Sequence, residues 1–222
     1  MPVFFQHIIN DTTRLGIWKI EETEEFFKGN VPQHRDVTHP HKRLQHLAGR
    51  FLLQFMFPDF PYELIQIADT RKPYLPGEQY HFSISHCGDF AAAIVSKDRR
   101  VGIDIEIPVE RIEKIANKFL SNDEKKVFSI AGQEGSIFNS QLPTPDLPAG
   151  RQGYRLLTLL WSAKESVFKW YGDGVVDFRE NILLKKKHEG NETIDCFFTK
   201  VQQPLTIHYR RFEHLVLTWV IS

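Results

Sequence analysis

Leu44, Leu47, Phe51, Leu52 and Phe55 recur at helical spacing and predict an amphipathic helix running to about Met56. Thr38 is placed to cap it, with Pro40 in the first turn, where a missing N–H costs little. Before it, Thr13 to Glu21 reads as a strand, Glu22 to Lys28 as a short acidic helix and Gly29 to Thr38 as a loop. After it, YHFSIS (80–85), FAAAIVS (90–96) and RVGIDIEI (100–107) read as strands. Their connections, HCGD and KDR, are short and polar, which predicts an antiparallel meander. Helices follow at about Glu110 to Phe119 and Asp123 to Ala131, and Ser121 with Glu124 three residues on signals a capping box. Residues 132–152, rich in Pro and Gly with no apolar period, read as a flexible insertion outside the core. A helix from near Arg155 to near Tyr171, stopped by Gly172 and Gly174, precedes four β segments: NILLKKK, ETIDCFFTKV, LTIHYRRF and LVLTWVIS. Helix and sheet are thus mixed twice over, which predicts two similar α+β lobes, although no strong internal repeat shows in the letters.

A chain of 222 residues can hold one large domain or two small packed lobes. Hydrophobic residues at 41% and charged residues at 25% are ordinary for a soluble globular protein. Lys+Arg and Asp+Glu balance at 28 each, so no broad nucleic-acid surface is expected and any basic site is local. Cys87 and Cys196 form neither a CxxC pair nor a disulfide framework, which fits a reducing compartment. No stretch approaches the roughly 20 apolar residues that cross a bilayer. The chain reads as cytoplasmic, without a membrane segment.

Within VGIDIEI, alternation puts Ile103, Ile105 and Ile107 on one face of the strand and Gly102, Asp104 and Glu106 on the other. The two carboxylates would lie about 7 Å apart along the strand. They suit a hard cation such as Mg²⁺, which takes one or two protein carboxylates and keeps room for phosphate oxygens. Two solvated acids on a half-exposed strand would read the same way. In WSAKESVFKWYG, Trp161, Glu165 and Lys169 share a helix face. A surface Glu–Lys pair there would contribute only about 0.3–0.5 kcal/mol. Trp161 and Phe168, however, are expected to draw this helix into the core, where a Glu and a Lys need partners.

Phosphate binding requires clustered donors. Arg43, His46 and Arg50 form one helical stripe; Lys72 precedes Pro73; Ser85 and His86 end a strand. Each also has a plain reading, as a solvated basic face or a turn histidine held by backbone groups. His34, His39, His41 and His46 raise the alternative of a zinc site, but no cysteine lies nearby and their spacing matches no usual ligand pattern.

Taken together, HLAGR (46–50), RKPYL (71–75), FSISHCGDFAAAIVS (82–96), VGIDIEIP (101–108), KFLSNDE (118–124) and WSAKESVFKWYG (161–172) resemble the 4′-phosphopantetheinyl transferase superfamily from about Lys42 to Gly174. GIDIE followed by WxxKExxxK is far more specific than either part. The length is similar to that of the surfactin-type group. The resemblance implies an α+β fold of two pseudo-symmetric lobes, each an antiparallel sheet packed with helices, with the active site in the cleft between them. The lobes would be 1–102 and 103–222. It implies Mg²⁺-dependent transfer of 4′-phosphopantetheine from coenzyme A to a serine of an acyl or peptidyl carrier protein, by a monomer.

The resemblance also implies roles. Asp104, Glu106 and Glu165 would hold Mg²⁺ against the coenzyme A pyrophosphate, and Glu165 would also serve as base for the carrier serine, directly or through a metal-bound water. Lys169 would neutralise pyrophosphate charge. Ser85 and His86 would contact coenzyme A phosphates. Arg50 and Lys72 would bind the 3′-phosphate end of the nucleotide, with Arg43 a looser match. Phe119 and Leu120 are candidates for apolar contact with the carrier, or for plain core packing. The basic loop of Lys28, His34 and Arg35 carries no assignment. From the carboxylates alone, a Mg²⁺ phosphohydrolase would fit as well. A relative that binds without chemistry would have no need of Asp104, Glu106, Glu165 and Lys169 together.

Overall fold

Two antiparallel sheets lie between two long helices. A computed structural model describes residues 3–31, 37–70, 72–130 and 150–222. Along the chain run β1 (Val3–Ile8), β2 (Thr13–Lys19), α1 (Glu24–Lys28), α2 (Pro40–Met56), β3 (Gln66–Ile67), β4 (Pro73–Tyr74), β5 (His81–Cys87), β6 (Phe90–Ser96) and β7 (Val101–Glu106). A 3₁₀ segment (Glu110–Ile115), α3 (Ala116–Phe119), α4 (Asn122–Val127), α5 (Gly150–Tyr171), β8 (Ile182–His188), β9 (Thr193–Phe198), β10 (Gln203–Arg211) and β11 (Val216–Ile221) follow. The first sheet has the order β1-β2-β6-β5 and the second β7-β11-β10-β9-β8. The architecture is α+β, with two lobes that each set one long helix on an antiparallel sheet.

Burial explains the layers. Leu47, Leu52, Leu53 and Met56 of α2 pack with Phe82, Ala91, Ala93 and Val95 of the first sheet. Leu160, Ala163, Val167 and Trp170 of α5 pack with Ile207, Tyr209, Val216 and Val220 of the second. Between the sheets, Leu15, Ile17, Ala92 and Ile94 meet Ile103, Ile105, Leu217 and Trp219. FAAAIVS is a continuous small-apolar run because β6 is covered on both faces.

Several expectations change. The meander breaks after β6: that strand already has β2 on one edge and β5 on the other, so β7 crosses to pair with β11, Asp104 opposite Thr218. β1 was not foreseen; it is an edge strand paired with β2 and mostly exposed, so it shows little alternation. His39 rather than Thr38 caps α2, its ring accepting the Lys42 amide. α5 begins at Gly150, ahead of the expected Arg155. The expected insertion at 132–152 lies, up to residue 149, outside the described residues, as do His34, Arg35, Arg71 and the Ala131 end of the helix read there. Among the described residues, no helix is long and apolar enough to cross a membrane.

The second sheet, α4 and α5 meet at one buried carboxylate. Glu124 completes the capping box of α4, accepting the Ser121 amide at 2.8 Å. Its other oxygen accepts the Leu184 amide of β8 at 2.9 Å and the Lys164 ammonium at 2.6 Å. Lys164 is fully buried and also donates to the carbonyls of Phe178 and Ile182, each at 2.7 Å. All three ammonium protons are used, which offsets the cost of removing the pair from water. Glu124→Ala and Lys164→Met each leave one buried charge without its partner. Each should lower unfolding free energy by about 3–5 kcal/mol, read from urea denaturation.

Candidate functional site

The site begins with the alternation of β7. Ile103 and Ile105 are buried between the sheets, and Gly102, Asp104 and Glu106 turn toward α5. Gly102 sets how close α5 comes. A Cβ there would lie 2.1 Å from the Ser166 carbonyl oxygen and 2.5 Å from the Trp170 nitrogen, both backbone atoms. No side chain fits, so the helix backbone rests on the strand. Trp161, Glu165 and Lys169, one helix face, are thereby brought to Asp104 and Glu106.

The resulting group is tightly bonded. Lys169 Nζ donates to Asp104 Oδ1 at 2.6 Å and to Ser85 Oγ at 2.8 Å. Ser85 Oγ in turn donates to the same Asp104 oxygen at 2.8 Å. The Trp161 indole N–H donates to Glu106 at 3.1 Å. Asp104 is 2% exposed, and its Oδ2 has no hydrogen-bond partner among the described residues. Burial, and then the Asp104 charge, push Glu106 and Glu165 up to about 7. One ammonium therefore faces three acids, and burial beside Asp104 disfavours ionising the two glutamates.

Among the described residues, no three His, Cys, Asp or Glu side chains already stand as a metal cage. The orphaned Asp104 oxygen and two acids held near neutrality nevertheless fit a hard divalent cation, and the donors are all carboxylates, as Mg²⁺ prefers.

The remaining candidates are spread more widely. His86 is exposed at the end of β5. Lys72 lies across Gly172, donates to the Trp170 carbonyl at 3.4 Å, and is brought down to about 8 by burial and then by the Arg100 charge. Arg43 forks onto Glu24 at 2.8 Å and donates to the Val37 carbonyl at 2.7 Å. Lys28 also pairs with Glu24, which falls to about 2 through its bonds to Arg43 and Lys28. Arg50 is buried and bonded to His46 at 3.2 Å. Among the described residues, His39, His41 and His46 do not gather into a group that could hold a metal ion, and His34 lies outside them.

Phe119 and Leu120 are each 1% exposed, so they pack in the core and offer no surface to a partner. Phe168, expected inside, is 37% exposed, because its turn of α5 faces the cleft. Two features escaped the sequence reading. Trp161 is half-buried and anchors Glu106, and Lys164 serves the fold. Only the polar end of an indole, placed one helical turn before Glu165, hinted at the first.

A cavity opens on either side of the charged group. One of about 250 Å³ is lined by Lys72, Pro73, Phe82, Ile84, Phe168 and Lys169. Another of about 480 Å³ is lined by Glu106, Ile107, Val109, Ile112, Thr158 and Trp161, with exposed Arg111 and Lys114 at its mouth.

The chain is similar to known proteins over part of its length. A family model described as the 4′-phosphopantetheinyl transferase superfamily matches residues 100–220. Enterobactin synthase component D of Escherichia coli K12 is 31% identical over 131 residues, 58% of this chain and 54% of that protein. The component D of Salmonella austin is 32% identical over 135 residues, 60% of this chain and 50% of that protein. The 4′-phosphopantetheinyl transferase AcpT of Salmonella typhimurium is 28% identical over 133 residues, 59% of this chain and 60% of that protein. The chain spans about half the length of the component D relatives it matches.

The raised acids carry a pH signature. Folded Glu165 keeps its proton to about pH 7, whereas unfolding returns it to its ordinary value of 4.5. Between those values the unfolded state binds fewer protons, so this group makes stability fall as pH rises. In EDTA, the melting temperature of Glu165→Gln should gain on wild type steadily across that range. Parallel melting curves would contradict the assignment.

Proposed function

Because the chain belongs to the 4′-phosphopantetheinyl transferase superfamily, we propose that it transfers 4′-phosphopantetheine from coenzyme A to a serine of an acyl or peptidyl carrier protein, with Mg²⁺, releasing adenosine 3′,5′-bisphosphate. The observation that carries this reading is the Asp104–Ser85–Lys169 contact beside two acids held near neutrality. The site would lie between lobes of about 1–102 and 103–222, in a single-chain cytoplasmic enzyme. Both cysteines are free, which supports a reducing compartment.

Asp104, Glu106 and Glu165 would hold the Mg²⁺. Bound there, the metal would offset charge on the pyrophosphate and on the departing bisphosphate. Lys169 reaches the same place from α5 and adds a second positive charge. Lys72 and Lys169 share the 250 Å³ cavity, so the pyrophosphate and nucleotide would lie along it. Ser85, His86, Arg43 and Arg50 are the further residues that the family likeness assigns to coenzyme A. The carrier serine would approach Glu165 from the other side. A carboxyl near pH 7 is suited to take the serine proton as the oxygen attacks phosphorus. The new serine O–P bond forms as the bridging P–O bond of the pyrophosphate breaks.

The 480 Å³ cavity with Arg111 and Lys114 at its mouth would receive the carrier, whose surface is acidic around its serine. This replaces Phe119 and Leu120 as the expected contact.

Intact-protein mass spectrometry of an apo carrier, incubated with the enzyme, coenzyme A and Mg²⁺, tests the reaction. A mass gain of one phosphopantetheine is expected, and none in EDTA. Asp104→Ala and Glu165→Ala should reduce the rate by at least about a thousandfold while near-UV circular dichroism stays native. Turnover retained in both variants would refute the mechanism. Reversing both charges, Arg111→Glu with Lys114→Glu, should raise the KM for carrier about tenfold and leave that for coenzyme A unchanged.

A further inference from the structure

Gly102 has a counterpart in the first lobe. At Gly49 of α2 a Cβ would lie 2.5 Å from Cγ2 of Ile84, so this helix presses on β5. A β-branched side chain is stiff at χ1, and the methyl has little room to turn aside. Gln45 stands one turn before Gly49 and His41 one turn before that, on the same face of α2. The stripe therefore runs from the middle of β5 to the turn that joins β5 to β6.

The two polar members of the stripe converge on one atom of that turn. The Gln45 side-chain amide donates to the Gly88 carbonyl at 2.7 Å, and His41 Nε2 donates to the same oxygen at 3.0 Å. Gln45 is 6% exposed. An apolar side chain of equal length would fill that space without cost, whereas a buried amide has to recover its lost hydration through a bond. The rest of the turn is also held. The Asp89 carbonyl accepts the Ile20 amide at 2.8 Å. Gly88 has φ +49°, and a Cβ on it would lie 2.7 Å from Cδ1 of Ile107, just beyond β7.

This turn carries His86, two residues before Gly88. The imidazole lies within reach of the charges of Lys169, Asp104 and Lys42, so α5, β7 and α2 all bear on it. Among the described residues, no other side chain hydrogen-bonds the ring. Its place is set by the backbone that bears it.

We infer that Gln45 is a positioning residue of the transferase site, fixing from α2 the turn that presents His86. The inference rests on the proposed transfer reaction, in which His86 meets the phosphates of coenzyme A. Gln45 does not touch the substrate. It acts through the Gly88 carbonyl, with His41 as a weaker second donor nearer the solvent.

A double-mutant cycle, read by calorimetric titration of the full chain with coenzyme A and Mg²⁺, tests this. Gln45→Met keeps the length of the side chain and removes its donor. It should weaken coenzyme A binding about fivefold while near-UV circular dichroism stays native. His86→Ala should weaken binding about tenfold. Combining the two should give an affinity within about twofold of His86→Ala alone, because Gln45 has no effect once the ring it positions is gone. His41→Ala, at an exposed position, should cost about threefold, and that loss should also vanish in the His86→Ala background. If Gln45→Met does not fold, the His41→Ala cycle decides by the same criteria.

Gln45→Met binding coenzyme A within about twofold of wild type, whatever its melting temperature, would make the bond a tether of the fold alone and overturn the inference. Losses that add in the double variant would overturn it too, since Gln45 would then act by a route other than His86. So would His86→Ala with wild-type affinity. A wild type that binds coenzyme A but gives no product on any carrier would refute the transfer reading separately, and one that does not bind coenzyme A would refute both.

Discussion

Everything at the candidate site depends on how closely a helix backbone can approach a strand. At Gly102 the carbonyl of Ser166 and the amide of Trp170 occupy the space a β-carbon would need. That single absence lets α5 settle onto β7. The opposing charges of two elements distant in sequence are then forced into contact, under shared burial. The acids are costly to hold there, and Asp104 makes its neighbours costlier still. Such a cluster is stable only if the surrounding core overrules it. The layers around it do so: α5 buries Leu160, Ala163, Val167 and Trp170 along the same length of helix that carries Glu165 and Lys169.

The two lobes contribute unequally to this arrangement. The second supplies the acids and Lys169. The first supplies Ser85, Lys72 and a sheet face of small residues, Ala92 among them, on which β7 can lie. Lys72 has a further structural part. It crosses the left-handed Gly172 and meets the last carbonyls of α5, where a cation is favoured by the helix dipole. The end of the helix that bears Lys169 is thus held from the opposite lobe.

Much of this was legible in the chain. Period-two spacing put Asp104 and Glu106 on one face of β7, and period-four spacing aligned Trp161, Glu165 and Lys169, because both are properties of local geometry. The stop at Gly172 and the capping box at Ser121 were readable for the same reason. What failed was non-local. Nothing in RVGIDIEI says that β6 has both edges occupied, so the strand that looked like the third of a meander begins another sheet. For Phe119 and Leu120 the letters left partner contact and core packing open, and only the tertiary burial decides for the core. The stripe of Arg43 and Arg50 was legible, but not that one forks onto Glu24 and the other is buried beside His46.

Lys164 and Glu165 are consecutive letters that point to different sides of α5, one into the hub at Glu124 and one into the candidate site. The first holds the fold and the second, on the proposed reading, would hold the chemistry, separated by about 100° of helical rotation. A genetic screen scored only by loss of growth would merge the two into one indispensable motif. Scored instead for cellular abundance, the pair would separate: damage at Lys164 would empty the cell of protein, and damage at Glu165 would, on the proposed reading, fill it with an inert but intact one.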